Sequence, residues 1–527
     1  MDDARSPETR GVLPAVIPVP VGMAAVAGTE VTLGAGAVIA ADPGADGVAE
    51  YLAGLLRPAT GLPFPVSTTP PGPGIALRLV AAGGAEAQSR SLGAQAAPMV
   101  TGGVGPTVEG EAYELVTDGS VVTISAATPA GLFRGVQTLR QLLPATVERR
   151  SPGEGPWTVP GVRIVDRPRF AYRGVMLDVA RHFFPVATVE RFIDQAALYK
   201  VNHLHLHLTD DQGWRLEIAS WPRLTSYGAG SEVGGGPGGF YTQDEYRHLV
   251  EYAAARFITV VPEIDLPGHT NAALAAYPEL TRDGVAVPRY TGIEVGFSSL
   301  AADNPRTYRF LEDVFGEVAA LTPGPYLHLG GDEAKNTSRG EYDTMLARAQ
   351  QIVRGYGKTP IGWHEIAEGP LDPPTVVQFW GTSREAPEVV AAAGRGHRVI
   401  MSPASLTYLD MQYVPGDRLG LNWAGFIEVD DAYGWDPAGH LPGVTEEHVL
   451  GVESPLWSET ATTGADLDEL AFPRLPVLAE VGWSPRDARD WASLRARLAA
   501  HGPRWDTLGI AYYRSERVAW PVAADAG

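Results

Sequence analysis

A chain of 527 residues with 45% hydrophobic and 20% charged residues can bury a large core, and its length suggests two domains unless one is a large α/β barrel. Its 62 acidic against 41 basic residues give a net charge of -21, which opposes binding to nucleic-acid backbones or anionic lipid and is compatible with a neutral partner such as sugar. The absence of cysteine excludes disulfides, thiolate metal sites and a cysteine nucleophile.

The opening MDDARSPETR has neither the basic nor the apolar segment of a signal peptide, and no run of about 18 apolar residues follows. As written, the chain is expected to be a soluble cytoplasmic protein, or an extracellular one if a leader has been trimmed from it. Residues 1–166 are rich in Ala, Gly, Pro and Val, with short apolar runs broken at turn formers such as Asp42-Pro43-Gly44 and Pro70-Pro71-Gly72. Two β-rich runs, 113–117 and 121–125, flank Asp118-Gly119, a pair suited to the positive φ angles of a tight hairpin. Thr128 then caps a predicted helix with Pro129 in its first turn. Its apolar stripe is Leu132, Phe133, Val136, Leu139 and Leu143, and it is broken by Pro144. These signals predict a small α+β N-terminal domain over 1–166, joined through the Pro/Gly-rich stretch 151–156.

From Phe170 onward, β-rich runs alternate with helical patterns, which is the pattern of parallel βα units. Strands are predicted near 172–178, 201–208, 257–264, 326–330, 359–363, 376–380, 398–401 and 451–457. Eight such strands imply a (β/α)8 TIM barrel as the catalytic domain, 167–527. The first crossover shows the logic: after Pro185, the stripe Val189, Phe192, Ile193, Ala196 and Ala197 packs a helix before the next strand. The Gly-rich run 234–239 reads as a flexible loop, since no Lys-Ser/Thr follows it to make a phosphate cradle.

In such a barrel the chemistry collects at the C-terminal ends of the strands. The fourth strand ends in His328-Leu329-Gly330-Gly331-Asp332-Glu333, where the glycines permit close approach of a ligand to the backbone beside two adjacent carboxyl groups. An acidic pair alone is as compatible with a solvated loop. Most retaining glycosidases set two carboxyls about 5–5.5 Å apart on opposite sides of a sugar, an arrangement that neighbouring residues do not readily provide. If Asp332 and Glu333 act on one substrate, the nucleophile must come from elsewhere. An N-acetyl oxygen on C2 can attack C1, with Asp332 holding the acetamide N–H and Glu333 protonating the leaving oxygen.

Trp363, Trp380 and Trp457 stand at other strand ends; each alone suits core packing, but three together suit the walls of a sugar pocket. His203, His205 and His207 alternate along the second strand, so the imidazoles share one face and the intervening leucines the other. That pattern suits a hydrogen-bonded polar interior and, as an alternative, a zinc site. Asp210 and His269, at adjacent strand ends, can pair behind the carboxylates or form a purely structural contact.

Residues 172–183, HLHLTDDQGWR (205–215), PEIDLPGHT (262–270), HLGGDE (328–333), the Trp363-His364-Glu365 and Gln378-Phe379-Trp380-Gly381 segments, Tyr408-Leu409-Asp410 and VESPLWSET (452–460) together resemble family 20 glycoside hydrolases, the β-N-acetylhexosaminidases. The preceding hairpin and helix resemble that family's non-catalytic N-terminal domain. The resemblance implies a retaining exo-β-N-acetylhexosaminidase that removes terminal GlcNAc or GalNAc from oligosaccharides or glycoconjugates through an oxazolinium ion. It implies Glu333 as acid, Asp332 and Tyr408 on the acetamido group, and the pair Asp210 and His269 behind Glu333. Trp363, Trp380 and Trp457 would enclose the acetamide, while Arg173, Asp410 and Glu459 would hold sugar hydroxyls. It implies no metal and no organic cofactor. Three alternatives stay open: a lacto-N-biosidase-like relative releasing a disaccharide, a noncatalytic sugar-binding protein, and a zinc amidohydrolase.

Overall fold

In the computed structural model, residues 13–68, 72–80 and 108–521 are described; the opening MDDARSPETR and the Pro70-Pro71 turn lie outside them. A seven-stranded sheet is built from β1 (Gly22–Ala25), β3 (Val38–Ala41), β4 (Val66–Ser67), β5 (Gly74–Leu79), β6 (Tyr113–Thr117), β7 (Val121–Ala126) and β9 (Val162–Asp166), in the order β1-β9-β6-β7-β5-β3-β4; buried and half-open positions alternate along β7. A separate ribbon joins β2 (Val31–Leu33) to β8 (Trp157–Val159). The β6–β7 hairpin forms as expected, with one difference. Only Gly119 takes a positive φ, 89°, while Asp118 instead accepts the amides of Ser120 and Val121 at 2.9 and 2.7 Å.

Helix α1 spans Asp46–Thr60, and α2 spans Pro129–Leu142 with the Thr128 side chain accepting from Gly131 N at 3.2 Å. The apolar stripe of α2 packs as predicted, but its polar side is buried too. Gln141 bonds both backbone groups of Ile17 and the carbonyl of Leu198, and Arg140 pairs with Glu148 at 2.7 Å. Burying those groups is tolerable because each finds a partner.

The eight remaining strands, β10 (Tyr172–Asp178), β11 (His203–His207), β12 (Thr259–Glu263), β13 (Tyr326–His328), β14 (Thr359–Trp363), β15 (Val376–Phe379), β16 (Val399–Met401) and β17 (Val449–Leu456), pair in parallel and close β17 onto β10. The chain folds as a (β/α)8 barrel following an α+β sheet unit. The first crossover, α3 (Val186–Leu198), buries the predicted stripe. The Gly-rich loop at 234–239 is tied down: Arg215, fully buried behind it, donates to the carbonyls of Val179, Ala180, Ala229, Ser231 and Gly239. Among the described residues no helix is long and apolar enough to cross a membrane.

The N-terminal end of the barrel rests on the sheet unit through paired charges. Arg173 donates to Glu111 at 2.5 Å and to the carbonyls of Phe170 and Lys200, and its guanidinium lies over Trp483. Glu111 also accepts from Arg134 at 2.6 Å and from Asn202. Burial alone would raise the Glu111 carboxyl, but Arg173 and Arg134 outweigh it and hold the group at about 2. Beside them, buried Lys200 meets Asp166 at 2.9 Å. The expectation that Arg173 grips the sugar is therefore corrected. It is the second residue of β10, at the end of the barrel opposite the carboxyl pair, and its donors are spent on Glu111 of the sheet unit and on the carbonyls of Phe170 and Lys200.

Candidate active site

The turn after β13 is shaped by backbone that only certain residues accept. Gly330 and Gly331 have φ of 67° and 100°, and a Cβ on Gly330 would lie 1.7 Å from Asp265 Oδ1. Glu333, though not glycine, also sits at φ 46°, as does His269 at 56°. Such angles cost about 1–3 kcal/mol each and collect at functional sites. Here they have a visible result: in an extended strand neighbours point to opposite faces, whereas this turn brings both acidic side chains to one imidazole. His269 Nε2 lies 3.6 Å from Asp332 Oδ2 and 3.7 Å from Glu333 Oε2.

His269 is itself held from behind. Its Nδ1 lies 3.2 Å from Asp210 Oδ1, and Asp210 Oδ2 meets Arg181 at 2.9 Å and His207 at 2.7 Å. Burial opposes a charge on either member, yet Arg181 and His269 keep Asp210 well below the carboxylate range, and Asp210 and Asp332 keep His269 well above the imidazole range. The pair is thus an ion pair with Nε2 facing the acids. Asp332 is pushed up to about 7 by burial and by the neighbouring Glu365 and Glu333, with His269 opposing. Its Oδ1 is buried without a hydrogen-bond partner, as is Asp410 Oδ2. Unsatisfied buried acceptors of this kind mark a place for a ligand's donors.

Aromatic rings close the space above. Trp363 is buried and donates its Nε1–H to Glu263 at 2.9 Å, Trp457 lies 5.8 Å from it, and Tyr408 is 6.4 Å from Trp457. Trp380 donates to Glu365 at 2.9 Å. Burial keeps the Tyr408 phenol neutral and available as a donor. The family description "Glycosyl hydrolase family 20, catalytic domain" matches residues 170–486, and "Glycosyl hydrolase family 20, domain 2" matches residues 13–167. The chain belongs to glycosyl hydrolase family 20.

Relatives in this family are similar over most of their length. A β-N-acetylhexosaminidase of Cellulomonas fimi is 49% identical over 78% of this chain and 82% of its own. The solved GH20 β-N-acetylhexosaminidase of Streptomyces coelicolor A3(2) superposes with a TM-score of 0.89 at 50% identity, covering 96% of this chain and 99% of that one. A mutant β-hexosaminidase of Streptomyces plicatus, solved in complex with product GlcNAc, superposes with the same score at 50% identity, covering 96% of this chain and 98% of that one. Membership makes the chain a glycoside hydrolase, a retaining β-N-acetylhexosaminidase that uses the substrate's own acetamido group.

Within this family 20 barrel, Asp332, Glu333, Asp210, His269, Trp363, Trp380, Tyr408, Asp410, Trp457 and Glu459 fall on one side of the molecule, at the C-terminal strand ends or in the loops that follow them. Arg173 does not join them. An arginine that does stand at this end is Arg181, three residues past the end of β10; it lies over Trp457 at 4.7 Å, pairs with Asp178 and Asp210, and feels the charge of Glu459. It lay within the motif already quoted, and its position beyond the strand end was the signal that favoured it over Arg173. Glu365 was likewise in view, in Trp363-His364-Glu365; burial pushes it up to about 7. Trp423, half-exposed and edge-on to both Trp380 and Tyr408, sits in the long loop before β17, where no periodic signal marked it.

The histidine strand resolves as a polar core. His205 bonds Glu453 and Glu263 at 2.9 Å each, and His207 bonds Glu263 at 2.5 Å and Asp210. Burial works against their charge, but the carboxylates lift His205 to about 9 and His207 to about 10. Several sets of three donors, His205-Glu263-His328 among them, come within 4.8 Å of one another. A metal needs the lone pairs of neutral imidazoles, however, and in His205 and His207 both nitrogens are already engaged by carboxylates.

Proposed function

We propose that this pocket binds one terminal, nonreducing β-linked N-acetylhexosamine, GlcNAc or GalNAc, from an oligosaccharide or glycoconjugate, and that the residues divide the work as follows. Asp332 accepts the acetamide N–H and Tyr408 donates to the acetamide oxygen, aiming that oxygen at C1. As the glycosidic bond breaks, Glu333 gives its proton to the leaving oxygen, and the oxazolinium ion forms beside the carboxylate of Asp332. Glu333 then takes a proton from the water that opens the ring, so the product keeps the β configuration. The Asp210–His269 ion pair holds both acids in place. Trp363, Trp380 and Trp457 shape the space around the acetamide and keep water from it.

The observation that carries this reading is the convergence of Asp332 and Glu333 on a single imidazole nitrogen. Two carboxyls gathered on one side can serve an internal nucleophile; they do not straddle a sugar in the manner of a two-carboxylate retaining site. Arg181, Asp410 and Glu459 supply polar groups for sugar hydroxyls at the buried end, and Arg181 packed on Trp457 favours a single sugar over a disaccharide. The test is hydrolysis of an aryl N-acetyl-β-glucosaminide beside the matching aryl β-glucoside. Rapid release from the first alone is expected; equal rates would contradict participation of the acetamide, and no release from either would favour a noncatalytic sugar-binding role.

A further inference from the structure

Lys335, one of only three lysines in the chain, follows Glu333 by two residues, and its Nζ lies 3.4 Å from Glu333 Oε1. Its aliphatic stem runs across Gly296: a Cβ there would come within 2.7 Å of Lys335 Cδ, and Gly296 has a φ of 82°. The glycine thus leaves a channel for the stem, while the ammonium end stays largely in solvent, the side chain being 66% exposed. The neighbouring Asn336 fastens this turn to the same loop through the carbonyl of Phe297 at 2.9 Å.

The position of that ammonium is constrained by the reaction. Glu333 must reach the glycosidic oxygen by a hydrogen bond of about 3 Å, so Nζ stands roughly 6–9 Å or less from the scissile bond, according to which carboxyl oxygen donates. Because the general acid meets the leaving oxygen, a cation paired with Glu333 is set beside the leaving group. Glu333 enters the first step protonated, and a protonated carboxyl offers Lys335 no charge to pair with. Arg181 and His269 are already committed to Asp210, whereas the Lys335 ammonium is then free for another anion.

Resting on the activity proposed above, we propose that Lys335 selects leaving groups that carry a carboxylate beside the scissile bond, namely a hexuronic acid linked through its O4. In that sugar the carboxylate is borne by C5, next to the carbon that holds the glycosidic oxygen, which brings it within reach of Nζ.

The test compares N-acetyl-β-glucosaminyl-1,4-glucuronic acid with its methyl ester, which differ in charge and little in shape. The full chain should favour the acid by about two- to fivefold in kcat/KM, the scale of an exposed ion pair, and the preference should vanish near about 0.5 M salt. In Lys335→Met the ratio should fall to unity, and Lys335→Arg should keep it. Because each ratio is internal to one variant, any general effect on Glu333 cancels. Equal treatment of acid and ester by the native chain, or a preference that survives in Lys335→Met, would overturn the selection. An aryl N-acetyl-β-glucosaminide assayed alongside reports the activity itself, so a failure of the hydrolase reading would show there first.

Discussion

The two ends of the barrel bury charge in opposite ways. At the N-terminal end the buried acids Glu111 and Asp166 have their counter-charges: Glu111 lies between Arg173 and Arg134, and Lys200 meets Asp166. At the C-terminal end acids outnumber bases; burial and mutual repulsion push up Asp265, Asp332, Asp410 and Glu459, and several of their oxygens lack partners. The first arrangement fastens two parts of one fold. The second is incomplete until a polyol with an amide enters. Burial alone therefore does not distinguish structural from catalytic charge; completeness of pairing does.

The comparison breaks most readily at the acids. Glu333→Gln should lower turnover about 10²- to 10⁴-fold on substrates with poor leaving groups, and much less on activated aryl glycosides, because it removes proton transfer alone. Asp332→Asn should lower both, since it disables the internal nucleophile; steady-state rates on the two substrate classes decide this.

The arginines sharpen the contrast. Arg181→Met should cut kcat/KM by about 10²-fold or more, because a hydroxyl-binding cation is lost, and should also lower stability, because buried Asp178 and Asp210 lose a counter-charge. Arg173→Met should leave kcat of the folded enzyme near its native value yet destabilise it by about 3–5 kcal/mol, because buried Glu111 loses one of its two counter-charges and keeps Arg134 and the Asn202 amide. Both variants should melt lower, so the activity of the folded protein separates them, and loss of activity in Arg173→Met with Arg181→Met unaffected would return the sugar contact to Arg173.

The incomplete end should also cost stability as pH rises. Asp332 stands at about 7 in the fold, against about 3.9 when unfolded, so between these values the folded state holds a proton that the unfolded state has lost, and stability declines through that window. Asp332→Asn lacks the group. It should be more stable than the native chain by on the order of 2 kcal/mol above pH 7, a gap that closes toward pH 4, as melting at a series of pH values would show. The smallest effect is expected at Glu365. Its charge helps to raise Asp332, so Glu365→Gln should move the acid limb of kcat/KM to lower pH, with the maximum changed by less than about threefold because glutamine still accepts from Trp380. An unmoved limb would separate Glu365 from Asp332.

Much of this was legible before the fold was known, for reasons that differ by residue. The eight strands announce themselves through short apolar runs with breakers, and Thr128 and Pro129 mark the start of α2 by capping chemistry. His203, His205 and His207 share a face because side chains on a strand alternate. Asp332, Glu333 and the three tryptophans follow from the rule that strand ends carry the chemistry. Arg173 and Arg181 belong to one motif that spans both ends of β10, and only the strand's bounds show that Arg173 stands at the end away from the acids. The polar side of α2 could not be foreseen as buried, since its partners Ile17, Leu198 and Glu148 are supplied by tertiary packing. Glu365 and Trp423 acquire meaning only when barrel closure sets β14 beside β15 and folds the loop before β17 over Trp380.

The central claim is that the nucleophile belongs to the substrate. Aryl N-acetyl-β-glucosaminides bearing zero, one, two or three fluorines on the acetyl methyl grade the basicity of that oxygen while changing its size little. The account predicts that kcat/KM falls steeply and progressively along this series. A flat series would contradict it and assign the attack to a side chain of the protein.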